Sequence, residues 1–105
     1  MTTPPRVYDD HVYGNVNSIK DLREINREIR NEIHGSSDRD EITMLKGRSD
    51  YLCTLTKSPA WRAKFGSKIR RYMEAVREEN RRTVDKANTI ARQHKIDVTY
   101  VPWRD

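Results

Sequence analysis

Few side chains in this sequence could carry covalent or metal chemistry, and they are scattered. His11, His34 and His94 stand far apart and fall in different candidate elements. No His or Cys pair has the spacing of a metal-ligand set. Cys53 is the single cysteine, which excludes an internal disulfide. It has no neighbouring histidine, so the expected role is that of a small buried thiol, unless Arg48 and Lys57 approach closely enough to lower its pKa. Glu74 and Glu78 are four residues apart and interleaved with Arg77, Arg81 and Arg82. That is the pattern of surface ion pairs on a helix, whereas general acid–base work needs a desolvated cleft. The four glycines are dispersed, and no Gly-rich phosphate loop is present. The expectation is a protein that is not an enzyme and holds no cofactor and no metal.

The chemistry the sequence favours is electrostatic. Residues 1–45 carry six basic and nine acidic side chains, net −3, whereas residues 46–71 carry eight basic ones against Asp50 alone, net +7. Six of those cations, Lys57, Arg62, Lys64, Lys68, Arg70 and Arg71, are the candidates for binding nucleic acid or another anion. Trp61 and Phe65 are interleaved with them. Cations with aromatics between them suit a phosphate backbone, and they also suit an acidic protein surface. A solvated face that serves only solubility is the plain alternative.

Three helices must position this block. The first is expected over 19–34, with Ser18 as N-cap, Asp21 in the first turn and Gly35 as its stop. Ile19, Leu22, Ile25, Ile29 and Ile33 form its apolar stripe. The second is expected over 38–57, with Ile42, Leu45, Leu52 and Leu55 on one face and Ser49 and Thr56 beside them. The short link at 35–37 makes these two an antiparallel hairpin. The third begins at Ser58-Pro59 and continues in phase to about residue 95. Ile69, Met73, Val76, Asn80, Thr83, Ala87, Ile90 and His94 alternate spacings of four and three, a coiled-coil seam in which a polar Asn80 would set register. The phase survives Gly66, which favours one long helix over a break at Gly66-Ser67.

A helix of that size is about 55 Å long at 1.5 Å per residue. A compact chain of about 100 residues is only roughly 34 Å across. The first two helices could not hide such a rod, so a homodimer is the simplest expectation. The apolar supply agrees, since Leu, Ile, Val and Phe number 20 in 105 residues with a net charge of +5. The fold class expected is therefore all-α: an antiparallel helical hairpin plus one long coiled-coil-like helix, in a dimeric helical bundle. A DNA-reading helix–turn–helix needs a short second helix, which this pattern does not supply.

Both ends read as extended. Residues 1–17 form an arm with Pro4, Pro5 and the apolar Val7, Tyr8, Val12 and Tyr13. Residues 96–105 alternate like a strand until Pro102, and Tyr100, Val101 and Trp103 are candidates for docking on a partner. The domain organisation is thus an arm over 1–17, a three-helix domain over 18–95 and a tail over 96–105. No signal peptide or membrane span is visible, and with one cysteine this points to a cytoplasmic protein without a membrane partner. Three functions follow in order of preference. The first is a self-associating helical protein whose basic corner binds nucleic acid largely without sequence specificity. The second is an adaptor or inhibitor that docks on a protein through its arms and basic corner. The third is a structural subunit of a larger assembly.

Overall fold

The structure, a computed structural model, describes residues 15–104. His11 and the apolar Val7, Tyr8, Val12 and Tyr13 of the expected N-terminal arm lie outside the described residues. Among those described, every regular element is helical: α1 (Ile19–His34), α2 (Arg39–Leu55), α3 (Pro59–Phe65) and α4 (Ile69–Gln93), with a 3₁₀ turn, Gly66–Lys68, between the last two. None of these helices is long and apolar enough to cross a membrane.

Local chemistry sets the helix starts. Ser18 Oγ accepts the Asp21 N–H at 3.1 Å, and Asp38 Oδ1 accepts the Asp40 N–H at 3.1 Å. Ser58 Oγ accepts the Trp61 N–H at 3.2 Å, with Pro59 in the first turn. Each cap satisfies a backbone donor that has no partner inside the helix.

The expectation of one unbroken third helix is overturned at Gly66. This residue has φ +53° and ψ −125°, a conformation that only glycine adopts readily. The side-chain phase that crosses Gly66 is real, but the backbone turns there. What remains, α4, has 25 residues, about 37 Å at 1.5 Å per residue, and fits within a longest dimension of 43 Å.

Two contacts orient α1. Tyr72 Oη donates to the Asn17 carbonyl at 3.1 Å, and Arg30 Nη1 meets Glu79 Oε1 at 2.7 Å, so α1 runs parallel to α4. Helix α2 runs against both, forming the expected hairpin with α1. Arg48 pairs with Glu32 at 3.0 Å, and Asn80 Nδ2 donates to Ser49 Oγ and Asp50 Oδ1, each at 2.9 Å.

Covered this way, the seam of α4 lies inside its own chain. Val76, Asn80, Thr83, Ala87 and Ile90 are all buried, Ile69 and Met73 are half-buried, and His94 is exposed. The seam residues therefore pack as the core of one chain rather than as an open face. Leu22, Ile29 and Ile33 of α1 and Ile42, Leu45 and Leu52 of α2 complete that core. A buried polar layer crosses it: Ser49 Oγ donates to Asn26 Oδ1 at 3.4 Å, and Asn80 bridges to α2.

The C-terminal tail docks in cis. After Lys95 (φ +56°) the chain reverses, and the Ile96 N–H donates to the Ala91 carbonyl at 2.8 Å. Asn88 then acts as a strand's edge would. Its Oδ1 accepts the Tyr100 N–H at 2.7 Å, and its Nδ2 donates to the Tyr100 carbonyl at 2.9 Å. Tyr100 is 8% exposed, with Oη 2.9 Å from Thr43 Oγ1. The Trp103 N–H donates to Asn80 Oδ1 at 2.9 Å. Tyr100 and Trp103, expected to seek a partner, thus line the bundle itself, while Val101 is exposed.

Candidate nucleic-acid interface

The parallel run of α1 and α4 brings their N-terminal halves together, at the same end as α3 and the last turn of α2. Six cations were expected there, and they divide into two groups. Lys57 Nζ sits 4.9 Å from the Trp103 ring centre, and Lys64 Nζ donates to the Val16 carbonyl at 2.6 Å. Both hold the fold. Arg62, Lys68, Arg70 and Arg71 are exposed and make no ion pair among the described residues.

Three further cations join them from α1. Lys20, Arg23 and Arg27 are exposed and likewise without an ion pair among the described residues. An open cleft of about 530 Å³ is lined by Ile19, Lys20, Arg23, Glu24, Arg27 and Arg71. A smaller hollow shares Ile19 and Arg71 and adds Lys68 and Tyr72. Five cations from α1, the 3₁₀ turn and α4 therefore border these two adjoining hollows, with Glu24 as the acid of the larger one's lining.

Counting charge by segment hid these α1 residues, because residues 1–45 are net negative. The signal lay in the spacing. At 100° per residue, Lys20, Arg23 and Arg27 occupy about 60° of arc, and Asp21, Glu24 and Glu28 occupy about 60° on the adjoining side. Helix α1 is thus split into a cationic edge beside α4 and an acidic edge, and Glu24 and Glu28 line a separate hollow with Asn15, Val16, Asp21 and Ile25. Which edge meets α4 depends on packing.

Such a site can hold anions. Arg guanidinium groups offer bidentate donors that match phosphate oxygens, and Lys adds point charge. Arg23 and Arg27 project from a helix whose other face is core, so their stems start from a rigid base. The aromatics expected to contribute do not reach out. Trp61 is 5% exposed and packs edge-on against Phe65, with ring centres 5.2 Å apart. Phe65 stacks on Tyr72 at 3.9 Å.

Other reactive groups lie elsewhere. Cys53 is 1% exposed within the core. Glu79, only 2% exposed, is neutralised by Arg30 at 2.7 Å and approached by Arg82 at 3.7 Å. Glu78 pairs with Arg82 at 2.9 Å, the surface ion pair its spacing predicts. Among the described residues no group of His, Cys, Asp and Glu is placed to hold a metal ion. No protein-family model, curated protein or solved structure matches this chain.

Proposed function

We propose that this is a non-enzymatic binding protein whose α1–α4 end holds the phosphate backbone of nucleic acid without reading base sequence. The observation that carries the reading is the meeting of Lys20, Arg23, Arg27 and Arg71 around one open cleft, with Lys68 in the hollow that adjoins it at Ile19 and Arg71, and none of the five in an ion pair among the described residues. Arg62 and Arg70 extend the charge at the same end.

An acidic protein surface is the competing ligand. Stable protein interfaces are anchored by apolar or aromatic side chains that become buried. The large hydrophobic residues exposed among those described are Met44 and Val101. Met44 lies near the α1–α2 turn with Gly35 and Glu41, away from the cationic cleft, and Val101 follows Tyr100 on the tail. Charge without an anchor favours phosphate. The adaptor alternative also asks for a free C-terminal segment, and residues 96–104 are committed to α2 and α4 of their own chain through Tyr100 and Trp103. Self-association is not needed for this reading, because one chain supplies every residue of the cleft.

Binding measured by fluorescence anisotropy across a salt series tests the reading. Five phosphate contacts give a log–log slope of about −4.5. The triple variant R23A/R27A/R71A should lose roughly 2.7 of that slope, at about 0.9 per contact, while keeping its helical circular dichroism. Affinity that is unchanged from about 50 to 200 mM salt, or an acidic polypeptide held as tightly as nucleic acid, would sink the proposal.

A further inference from the structure

We propose that the ligand of this cleft is a double helix of nucleic acid, gripped by its phosphates, and not a single strand stacked on aromatic side chains. The inference rests on the function proposed above and narrows it to one substrate class.

Proteins that hold single strands combine a cationic groove with aromatic faces on which bases stack. Here those faces are occupied. Trp61 is buried and meets the edge of Phe65. The Phe65 ring lies on Tyr72, with Lys64 Nζ 5.4 Å from its centre. Tyr72 is 7% exposed and spends its hydroxyl on the Asn17 carbonyl. Trp103 carries Lys57 at 4.9 Å and Arg77 at 5.9 Å from its ring centre. No aromatic side chain among the described residues is classed as exposed. The cleft therefore offers cations and almost nothing for a base to lie on.

Charge alone then chooses between polymers. A duplex presents one phosphate per about 1.7 Å of axis, against about 3.4 Å for each of its strands taken singly. Each phosphate neutralised on a duplex also releases more condensed counterion, about 0.9 against 0.7. Both terms favour the duplex, and the cations are well arranged to use them. Lys20, Arg23 and Arg27 rise along one helix edge over about 10 Å at 1.5 Å per residue, Arg71 faces them from the first turn of α4, and Lys68 lies beside Arg71 at the end of the 3₁₀ turn. A cationic helix edge with further cations held beside it on packed elements suits a rigid polymer of dense charge. With no base contact involved, DNA and RNA duplexes share the chemistry that is recognised.

The full chain should be titrated at low salt against a labelled duplex of about 20 base pairs, as DNA and as RNA, and against each component strand alone. The expected result is a duplex held roughly tenfold or more tighter than either strand, from the difference in charge density, with little change when the base sequence is altered. Loss of duplex binding in R23A/R27A/R71A, with recovery in R23K/R27K/R71K, places the contact at this cleft. Single strands bound as tightly as the duplex or tighter overturn the inference and leave the proposed function standing. Failure of every nucleic acid to bind at low salt overturns both.

Discussion

Asn80 joins three parts of the molecule through one amide. It donates to Ser49 and Asp50 of α2 and accepts the backbone N–H of Trp103 in the tail. At 1% exposure none of these bonds is available from water. Asn80→Ala should therefore destabilise the fold by about 2–3 kcal/mol, the cost of leaving buried partners unsatisfied. A loss of unfolding free energy, from urea titration, of less than a fifth of that would remove the role assigned here. Asp21 titrates in a readable way. Its carboxylate accepts the Asn17 N–H at 2.9 Å, and that backbone bond, helped by Ser18, holds its pKa below the ordinary aspartate range. A lowered folded-state value means its contribution is complete above about pH 4, the unfolded aspartate value, and is lost as pH falls through the folded value. An NMR titration should show Asp21 protonating below that range, with the first turn of α1 loosening in the same window. Asp21→Asn should abolish that dependence.

At the scale of elements, the decisive feature is the turn at Gly66. A Cβ built there meets nothing within 4 Å, so the requirement for glycine is one of backbone conformation alone. Gly66→Ala should cost about 1–3 kcal/mol, because ψ −125° at positive φ lies outside the left-handed helical region that other residues can visit. Gly35 ends α1 with φ −85°, and a Cβ there would sit 3.8 Å from the Asn31 and Glu32 carbonyl oxygens, an ordinary contact. Gly35→Ala should be close to neutral. Thermal melts of the two variants check the contrast, and equal losses would refute it. The tail shows a related division. Its alternation of Ile96, Val98 and Tyr100 with polar residues predicts extended chain, and Tyr100 and Trp103, expected to dock on a partner, pack on their own bundle. That the dock would be Asn88, acting through both halves of its amide, had no local signal.

For the whole molecule, breaking the third helix changes what a single chain can hide. Two companions of 16 and 17 residues lie alongside a 25-residue helix and bury its seam. The radius of gyration of 13.8 Å is close to the roughly 13 Å of a compact 100-residue chain. Light scattering should accordingly give the mass of one chain, 12.5 kDa. A stable species of twice that mass would show that a surface other than the seam drives association. The same packing creates the cationic cleft, which exists only because α1 lies parallel to α4.

What the sequence determined by itself was local. The caps at Ser18 and Ser58, the apolar stripes and the basic block over 46–71 depend on residues a few positions apart, and each is legible there. Tertiary structure alone decided the partners over long separations. Arg30 with Glu79, Asn26 with Ser49, and Arg71 beside Arg23 and Arg27 meet only once the bundle is packed. Periodicity records which face of a helix avoids water and carries nothing about what covers it, so the seam alone does not tell a partner chain from α1 and α2. Gly66 tipped the outcome: side-chain phase continues through it, but the backbone there follows a path that no count of apolar spacing can see.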